Sequence, residues 1–255
     1  MNSLSIAVQA EWQRDYIARN CQEDNLNLQI SILTSDFINA SAQLLKGDFD
    51  VLIQELSATP IDLPENVAIT ALSERFEAHY VILSEKGFEE NTLLGLAGDA
   101  VISSKDTNYL PALLEEFSSD YTYNSDEKGE IRLLSNYEIT KNIQKTKIKI
   151  LNSKEFPPLA GKGVLAFLCN KEDIATRKIV KKWHNKEVAN LTNVERTFQK
   201  MVAPKTCGVF CEQDKMGNHH LWAAVINTGE PIERVRASSS TVFGLAEAAI
   251  AQLDK

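Results

Sequence analysis

Two cysteines and two histidines near the C-terminus form the densest group of chemistry-capable side chains. Cys207 and Cys211 precede the adjacent pair His219 and His220, and thiolates with imidazoles are the usual ligands of zinc. The spacing opposes a metal. The cysteines are separated by three intervening residues, VFCEQDKMGNHHLW reads as two strands joined by a turn, and neighbouring residues on a strand point to opposite faces. Buried thiols, hairpin histidines and no metal are therefore expected. A second group is basic: Lys141, Lys145, Lys147 and Lys149. Lys141 and Lys145 share a helical face, and Lys145, Lys147 and Lys149 share one side of any strand they form. Such a stripe serves either as an anion patch or as the solvated face of an edge strand, where lysine discourages aggregation. The acid–base pair Glu195 and Arg196 follows Asn193 on a helical segment.

The elements that must position these groups can be read from periodicity. Ser3–Val8 is a strand, Glu11–Asn20 a helix with Trp12, Tyr16 and Ile17 on its apolar side, and Leu26–Leu33 an alternating strand. Phe37–Leu45 is helical and is broken by Gly47 and Asp48. Asp50–Ile53 is a short apolar strand of the buried parallel kind. Ala68–Leu72 and His79–Leu83 are further strands. Strand–helix–strand order of this type indicates an α/β sheet with crossover connections. A second unit is expected from about Ser84. It holds strands at Ala100–Ser103, Ile131–Leu134 and Lys147–Leu151, and helices at Tyr109–Phe117 and Tyr137–Gln144. Ser118–Glu130 is polar and reads as a loop. Gly163–Cys169 is an apolar strand able to return to the first sheet. Asp173–Trp183 and Asn190–Met201 are helices. Leu221–Asn227 and Ile232–Ala237 form a hairpin around Thr228–Gly229, and Thr241–Leu253 is a closing helix with Ser238–Ser240 as its caps. No internal repeat is visible.

Composition bounds the function. The chain has 255 residues, 27 basic and 35 acidic, a formal charge of −8, and 44% hydrophobic residues. That is too apolar for a disordered chain. No apolar run approaches the roughly 18 residues a membrane helix needs. Net acidity opposes a sequence-independent nucleic-acid binder. The N-terminus, MNSLSIAVQAEWQRD, lacks a basic start followed by an apolar core. A cytoplasmic chain with reduced Cys21, Cys169, Cys207 and Cys211 is expected. Arginine is scarce: positions 14, 19, 75, 132, 177, 196, 234 and 236 only.

Several stretches in order resemble hydroxymethylbilane synthase, also called porphobilinogen deaminase. Pro158–Cys169, PLAGKGVLAFLC, is similar to the family's P-A-V-G-Q-G-A-V-G-I-E-C segment. Val194–Met201, VERTFQKM, resembles the A-E-R-A-M-N-T-R helix before the family's cofactor loop. GDFDVLIQELSATPIDLPENVAITAL resembles the region of form A-D-I-A-V-H-S-M-K-D-V-P, and Trp12-Gln13 matches a Trp-Gln pair. The terminal hairpin and helix follow the pattern of the family's third domain, while residues 85–157 align only loosely. The resemblance implies two α/β domains like those of periplasmic binding proteins, joined by crossover strands with a site in the cleft, plus a small C-terminal α+β domain. On this chain they map to 1–84 with 158–180, to 85–157, and to 181–255. It also implies a dipyrromethane cofactor held through a cysteine thioether, and condensation of porphobilinogen units head to tail with loss of ammonia.

That reaction needs a carboxylate for the cationic intermediates, a nucleophilic thiol for the tether, and arginines for the acetate and propionate groups. Each is altered. Ala58 falls at the family's catalytic Asp, and Ser57 at a usual Lys. Glu55, the nearest carboxylate, is three residues away, which in an extended segment faces the other side. Ala203 falls at the cysteine position, leaving Cys207, four residues later, as the sole stand-in. The S-S-L-R-R motif reads Ser103-Ser104-Lys105-Asp106-Thr107. An early Arg falls in a deletion between Gln9 and Glu11, the Gly-rich loop is missing between Ser35 and Gln43, and the R-G-N-V-G-T-R segment has no counterpart. No catalytic residue is intact. Gln13, Ser57, Ser103, Ser104, Lys105 and Lys162, the last replacing a Gln, remain as ligand-binding candidates. No cofactor is expected, dipyrromethane entering only if Cys207 replaces the family cysteine. The resulting expectation is a degenerate, inactive homologue or accessory subunit of tetrapyrrole synthesis, binding a pyrrole or other small anion, or a catalytically intact homologue. The alternatives are an active divergent transferase and a cleft-type binder of small anions.

Overall fold

The structure is a computed structural model and describes residues 3–22, 26–89, 94–104, 109–118, 120–125, 129–135, 147–227 and 229–253. In chain order the elements are β1 (Ser3–Val8), α1 (Glu11–Asn20), β2 (Asn27–Ile32), α2 (Phe37–Lys46), β3 (Val51–Glu55), β4 (Val67–Leu72) and β5 (Tyr80–Ser84). They continue with β6 (Val101–Ser104), α3 (Tyr109–Glu115), β7 (Thr122–Asn124), β8 (Ile131–Ser135), β9 (Ile148–Ile150) and β10 (Leu165–Asn170). The chain ends with α4 (Ile174–Val180), α5 (Lys186–Val202), β11 (Thr206–Gln213), β12 (His219–Ile226), β13 (Glu233–Ser239) and α6 (Leu245–Leu253). None of the described helices is long and apolar enough to cross a membrane.

Two compact units arise, Met1–Arg75 with Gly161–Asn190, and Phe76–Ala160 with Leu191–Lys255. The first holds a five-stranded sheet of order β2-β1-β3-β10-β4. β1 is parallel to β2 and β3, whereas β10 runs antiparallel between β3 and β4. Ile6–Val8 of β1 and Val51–Ile53 of β3 are buried on both faces, which is why these stretches read as continuous apolar runs. The Asp50 carboxylate accepts from both the N–H and the hydroxyl of Ser5 at 2.7 Å, pinning the start of β3 beside β1. At the head of α2 the Asp36 side chain accepts the Asn39 N–H at 2.9 Å, a capping bond.

The second unit holds a sheet of order β7-β6-β8-β5-β9 and a three-stranded antiparallel sheet, β11-β12-β13. Its five-stranded sheet repeats the first. Three parallel strands stand in the order second, first, third, and an antiparallel strand then separates the third from the fourth. In each sheet that antiparallel strand follows, in sequence, the last strand of the other sheet: β5 follows β4, and β10 follows β9. The small sheet packs Cys207, Val209, Cys211, Leu221, Ala223 and Val225 against Val194 and Phe198 of α5 and Leu245 and Ala249 of α6. On its other face Ala224 joins Tyr80, Tyr109 and Phe156.

The expected fold class is therefore present: crossover α/β sheets plus a small α+β portion. Three local readings change. Tyr80–Ser84 pairs with β8 and β9 in the second sheet, because local periodicity carries no information about a strand's partner. The polar stretch expected as a loop contains β7, an edge strand parallel to β6, tied down by a 2.8 Å hydrogen bond from the Ser103 hydroxyl to Asn124 Oδ1. The closing helix starts at Leu245, and Ser238–Ser240 do not cap it. Ser239 and Thr241 hydroxyls instead accept from Thr241 N–H and Phe243 N–H, local bonds that compete with a helical turn. Tyr137–Gln144 lies outside the described residues.

Gly208 lets β11 approach its neighbours. A Cβ there would collide with the Tyr109 hydroxyl and the Pro157 carbonyl, themselves joined by a 2.6 Å hydrogen bond. Gly208→Ala is expected to destabilise the protein by about 1–3 kcal/mol, the usual cost of overpacking. Urea unfolding checks this, and an unchanged midpoint would contradict the close approach.

Candidate functional site

In open α/β sheets ligands bind outside the carboxyl ends of the strands, where the strand order reverses. In the first sheet that point lies between β1 and β3. Beyond β1, Gln13 on the first turn of α1 is 4% exposed, and its Oε1 accepts the Gln9 N–H at 2.8 Å. Ala10 begins the helix without a side-chain cap. Beyond β3 comes a 3₁₀ turn, Leu56–Ala58. Ala58 is exposed and Ser57 half-buried. Gln54 supports the turn by donating Nε2–H to the Ala58 carbonyl at 2.8 Å, while its Oε1 is buried with no partner. Thr59 closes the turn by donating to the Glu55 carbonyl at 3.0 Å.

The turn changes what Glu55 can do. The sequence expectation rested on an extended segment, and the backbone here is not extended. The Glu55 carboxylate faces the 160–163 turn, accepting the Gly163 N–H at 3.2 Å and lying 3.5 Å from Lys162 Nζ. Both side chains are largely covered, 12% exposed for Lys162 and 17% for Glu55. Gly161 and Gly163 have φ of 77° and 72°, conformations that favour glycine. A Cβ on Gly161 would also meet the Leu56 side chain at 2.7 Å. Sequence reasoning singled out Lys162 and Glu55 separately and missed the pair. It also missed Gln54, whose signal was a polar residue closing the apolar run Val51–Ile53.

The equivalent point of the second sheet lies between β6 and β8. Ser103 and Ser104 end β6 and Ser135 ends β8; all three are buried. The Ser103 hydroxyl is spent on Asn124. Lys105 lies outside the described residues, as do Lys141 and Lys145. Lys149 sits on β9, the edge strand, with Lys147 just before it, which matches the edge-strand use of lysine. The structure thus gathers Gln13, Ser57, Ala58 and Lys162 in one unit and places Ser103 and Ser104 in the other.

Ala203 and Cys207 lie in different settings, the former past the end of α5 and the latter within β11 as the expected buried thiol. Ala203 is exposed, one residue past α5. Cys207 is not on that loop. It is the second residue of β11, 4% exposed among Val194, Phe198 and Val225, and burial pushes its thiol up to about 12. A tethering cysteine needs the opposite, an exposed and readily formed thiolate. Cys207 and Cys211 face this core, whereas His220 points to the other face, with its ring nitrogens 2.7 Å from the Ser238 hydroxyl and 3.0 Å from Asp214 Oδ2. The four drawn zinc ligands do not converge. Among the described residues no group of three or more His, Cys, Asp or Glu is arranged to hold a metal ion. Glu195 is a structural carboxylate: 1% exposed, it accepts the Cys211 N–H at 2.8 Å.

No family model matches the chain. It is similar to a porphobilinogen deaminase from an Exiguobacterium species, 22% identical over 171 residues, covering 63% of this chain and 56% of that protein. A Chlorobium phaeobacteroides porphobilinogen deaminase is 25% identical over 174 residues, covering 61% and 53%. One from Fusobacterium nucleatum is 37% identical over 51 residues, 20% of this chain and 17% of that protein. The chain spans about half the length of the first two relatives. Among solved structures, YhfZ from Shigella flexneri has a TM-score of 0.45 at 12% identity, covering 81% of this chain and 94% of that one. Reduced OxyR from N. meningitidis has a TM-score of 0.42 at 10% identity, covering 71% and 94%. The sequence similarity is distant and names one family.

Two outcomes follow from the site chemistry. Native protein at mildly alkaline pH leaves Cys207 unmodified by iodoacetamide, and urea exposes it; alkylation of the native thiol, read by peptide mass, would contradict its burial. Asp214 is held down at about 2, chiefly by its hydrogen bond to His220 and further by the N–H groups of Asn218 and Met216. A carboxyl lowered on folding stabilises above its unfolded value of about 4, and that contribution is lost as pH falls toward the folded value. The stability gap between wild type and Asp214→Asn is therefore largest above pH ~4 and closes toward pH ~2, measured as urea midpoints across that range.

Proposed function

We propose that the chain is a porphobilinogen deaminase-like protein of tetrapyrrole biosynthesis that has lost the condensation reaction. On this reading it acts as an inactive homologue or accessory subunit, binding a pyrrole or similar small anion, or a catalytically intact homologue. One observation carries the reading. At the carboxyl end of β3, where the resemblance calls for a catalytic Asp, the turn presents the methyl group of exposed Ala58. The nearest carboxylate, Glu55, is engaged by Gly163 and Lys162 instead. A cationic pyrrole intermediate beside Ala58 would find no anion on that turn, and electrostatic stabilisation of developing charge is commonly the largest catalytic contribution. The buried Cys207 adds a second loss. Residues of one catalytic unit act together, so these losses do not compensate one another.

The decisive measurement is the intact mass of the purified chain together with porphobilinogen consumption. The expected result is the unmodified mass and no turnover. A mass raised by a dipyrromethane increment, with turnover abolished in Cys207→Ser, would overturn the proposal in favour of a divergent active transferase. Co-purification with an intact porphobilinogen deaminase is expected of an accessory subunit.

A further inference from the structure

The first unit carries a groove that the proposed function does not use. It lies between β4, the last strand of its sheet, and the α4 segment, and holds about 410 Å³. Its lining is Ile69 and Thr70 from β4, and Ile174, Arg177, Lys178 and Lys181 from the helix and the turn that follows it. The combination is specific: three cations and two isoleucines around one concavity, on a chain whose formal charge is −8. Ile174 is 62% exposed at the rim.

The Arg177 guanidinium donates to the Lys171 carbonyl at 2.8 Å, and its Nε is buried with no partner. None of Arg177, Lys178 and Lys181 is paired with a carboxylate among the described residues. Asp173, at the start of α4, accepts the Thr176 N–H at 3.0 Å, and no ion pair joins it to Arg177 among the described residues. A helix C-terminus favours basic residues. That accounts for basic side chains near the end of α4 and not for their convergence with Ile69 and Ile174 on one groove. Three like charges held around a concavity raise the local concentration of counter-anions. A planar guanidinium beside two point-charge ammoniums suits oxygen anions.

We propose that this groove binds a small organic polyanion, a molecule carrying two or more carboxylate or phosphate groups on an apolar body. The guanidinium and the two ammoniums take the anionic groups, and Ile69 and Ile174 cover the apolar part. The volume is within the range of small-molecule sites, about 300–1,000 Å³. The inference stands independently of the pyrrole reading, since it uses neither the turn after β3 nor any cysteine.

The test is isothermal titration calorimetry on the full chain at low salt, with benzene-1,3,5-tricarboxylate as the carboxylate probe and inorganic pyrophosphate as the phosphate probe. The variants are Lys178→Gln with Lys181→Gln, and, as a control of equal charge change, Lys46→Gln at the end of α2 with Lys215→Gln on the β11–β12 turn. Wild type is expected to bind at least one probe with Kd of about 1 mM or tighter. The double variant should weaken that binding by about tenfold or more, and the control should leave it unchanged. Which probe binds more tightly separates carboxylate from phosphate ligands. Absence of binding by both probes overturns the proposal, as does equal affinity in the double variant. Hexaglutamate is titrated in parallel as a peptide probe, and binding of it alone also overturns the proposal, because the groove would then be a peptide surface. Circular dichroism confirms that the variants stay folded, which their surface positions favour.

Discussion

The first unit depends on one insertion. β10 enters antiparallel between β3 and β4, pairing Leu165 with Glu55 on one side and Ala166 with Leu72 on the other. Leu165, Phe167 and Leu168 are at most 1% exposed. Burying a large apolar side chain contributes roughly 1.5–3 kcal/mol, against a net stability of about 5–15 kcal/mol for a domain. Two further bonds secure the entry: Leu165 N–H to the Ser73 hydroxyl at 2.9 Å, and Leu56 N–H to the Val164 carbonyl at 2.7 Å. Together they bring the Gly161–Gly163 turn against the end of β3. The Glu55–Lys162 pair is thus a product of topology, since the two residues meet only because β10 returns beside β3.

That pair also shows how cations of this chain are engaged by its own acids. Arg14 is held by Glu11, Arg234 by Glu116 and the Glu155 carbonyl, Lys205 by Glu233, and Lys154 by Glu212. Exposed pairs of this kind contribute little stability, about 0–1 kcal/mol each, but a cation so engaged is not available to clamp a carboxylate ligand. Lys162, the charged ligand-binding candidate among the described residues, is engaged in the same way. The α4 groove is the contrast. Its cations are open to an external anion, and it lies beside an edge strand rather than at the carboxyl ends of β1 and β3, where an inherited pyrrole site would be.

Much of this architecture was legible because burial on both faces forces continuous apolar runs. DVLI, GVLAFLC and the terminal hairpin could hardly be anything else. What stayed hidden was pairing. Tyr80–Ser84 has the same local character whichever sheet receives it, and the topological repeat of the two five-stranded sheets left no repeated sequence because strand order is set by long-range contacts. β7 was masked by its polar edge position. The later start of α6 was masked by Ser and Thr, whose hydroxyls serve caps and competing local turns equally well. At the site, the altered motif positions were visible one by one, but the geometry of Glu55 was not. A three-residue offset reverses a side chain on a strand, and here a 3₁₀ turn begins directly after it.

The same parity reasoning bears on Cys207 more firmly than any alignment. Along β11 the side chains alternate, so Cys207, Val209 and Cys211 share the face covered by α5 and α6, while Gly208 and Phe210 share the other. For Cys207 to serve a loop at Ala203, β11 would have to fray past its second residue. That would break the pairing of Cys207 with Val225 and draw a thiol out from beside Phe198. A sliding loop tolerates a displaced residue; a paired strand packed on a helix does not, because a one-residue slip inverts every side chain along it. Relocation of the tether by four residues therefore does not, under the proposed reading, make up for Ala203, and a carboxylate missing at Ala58 has no stand-in on its own turn. Under the proposed reading, the scaffold outlasted the reaction because its strands are held by burial, and burial makes no demand on the two positions that were lost.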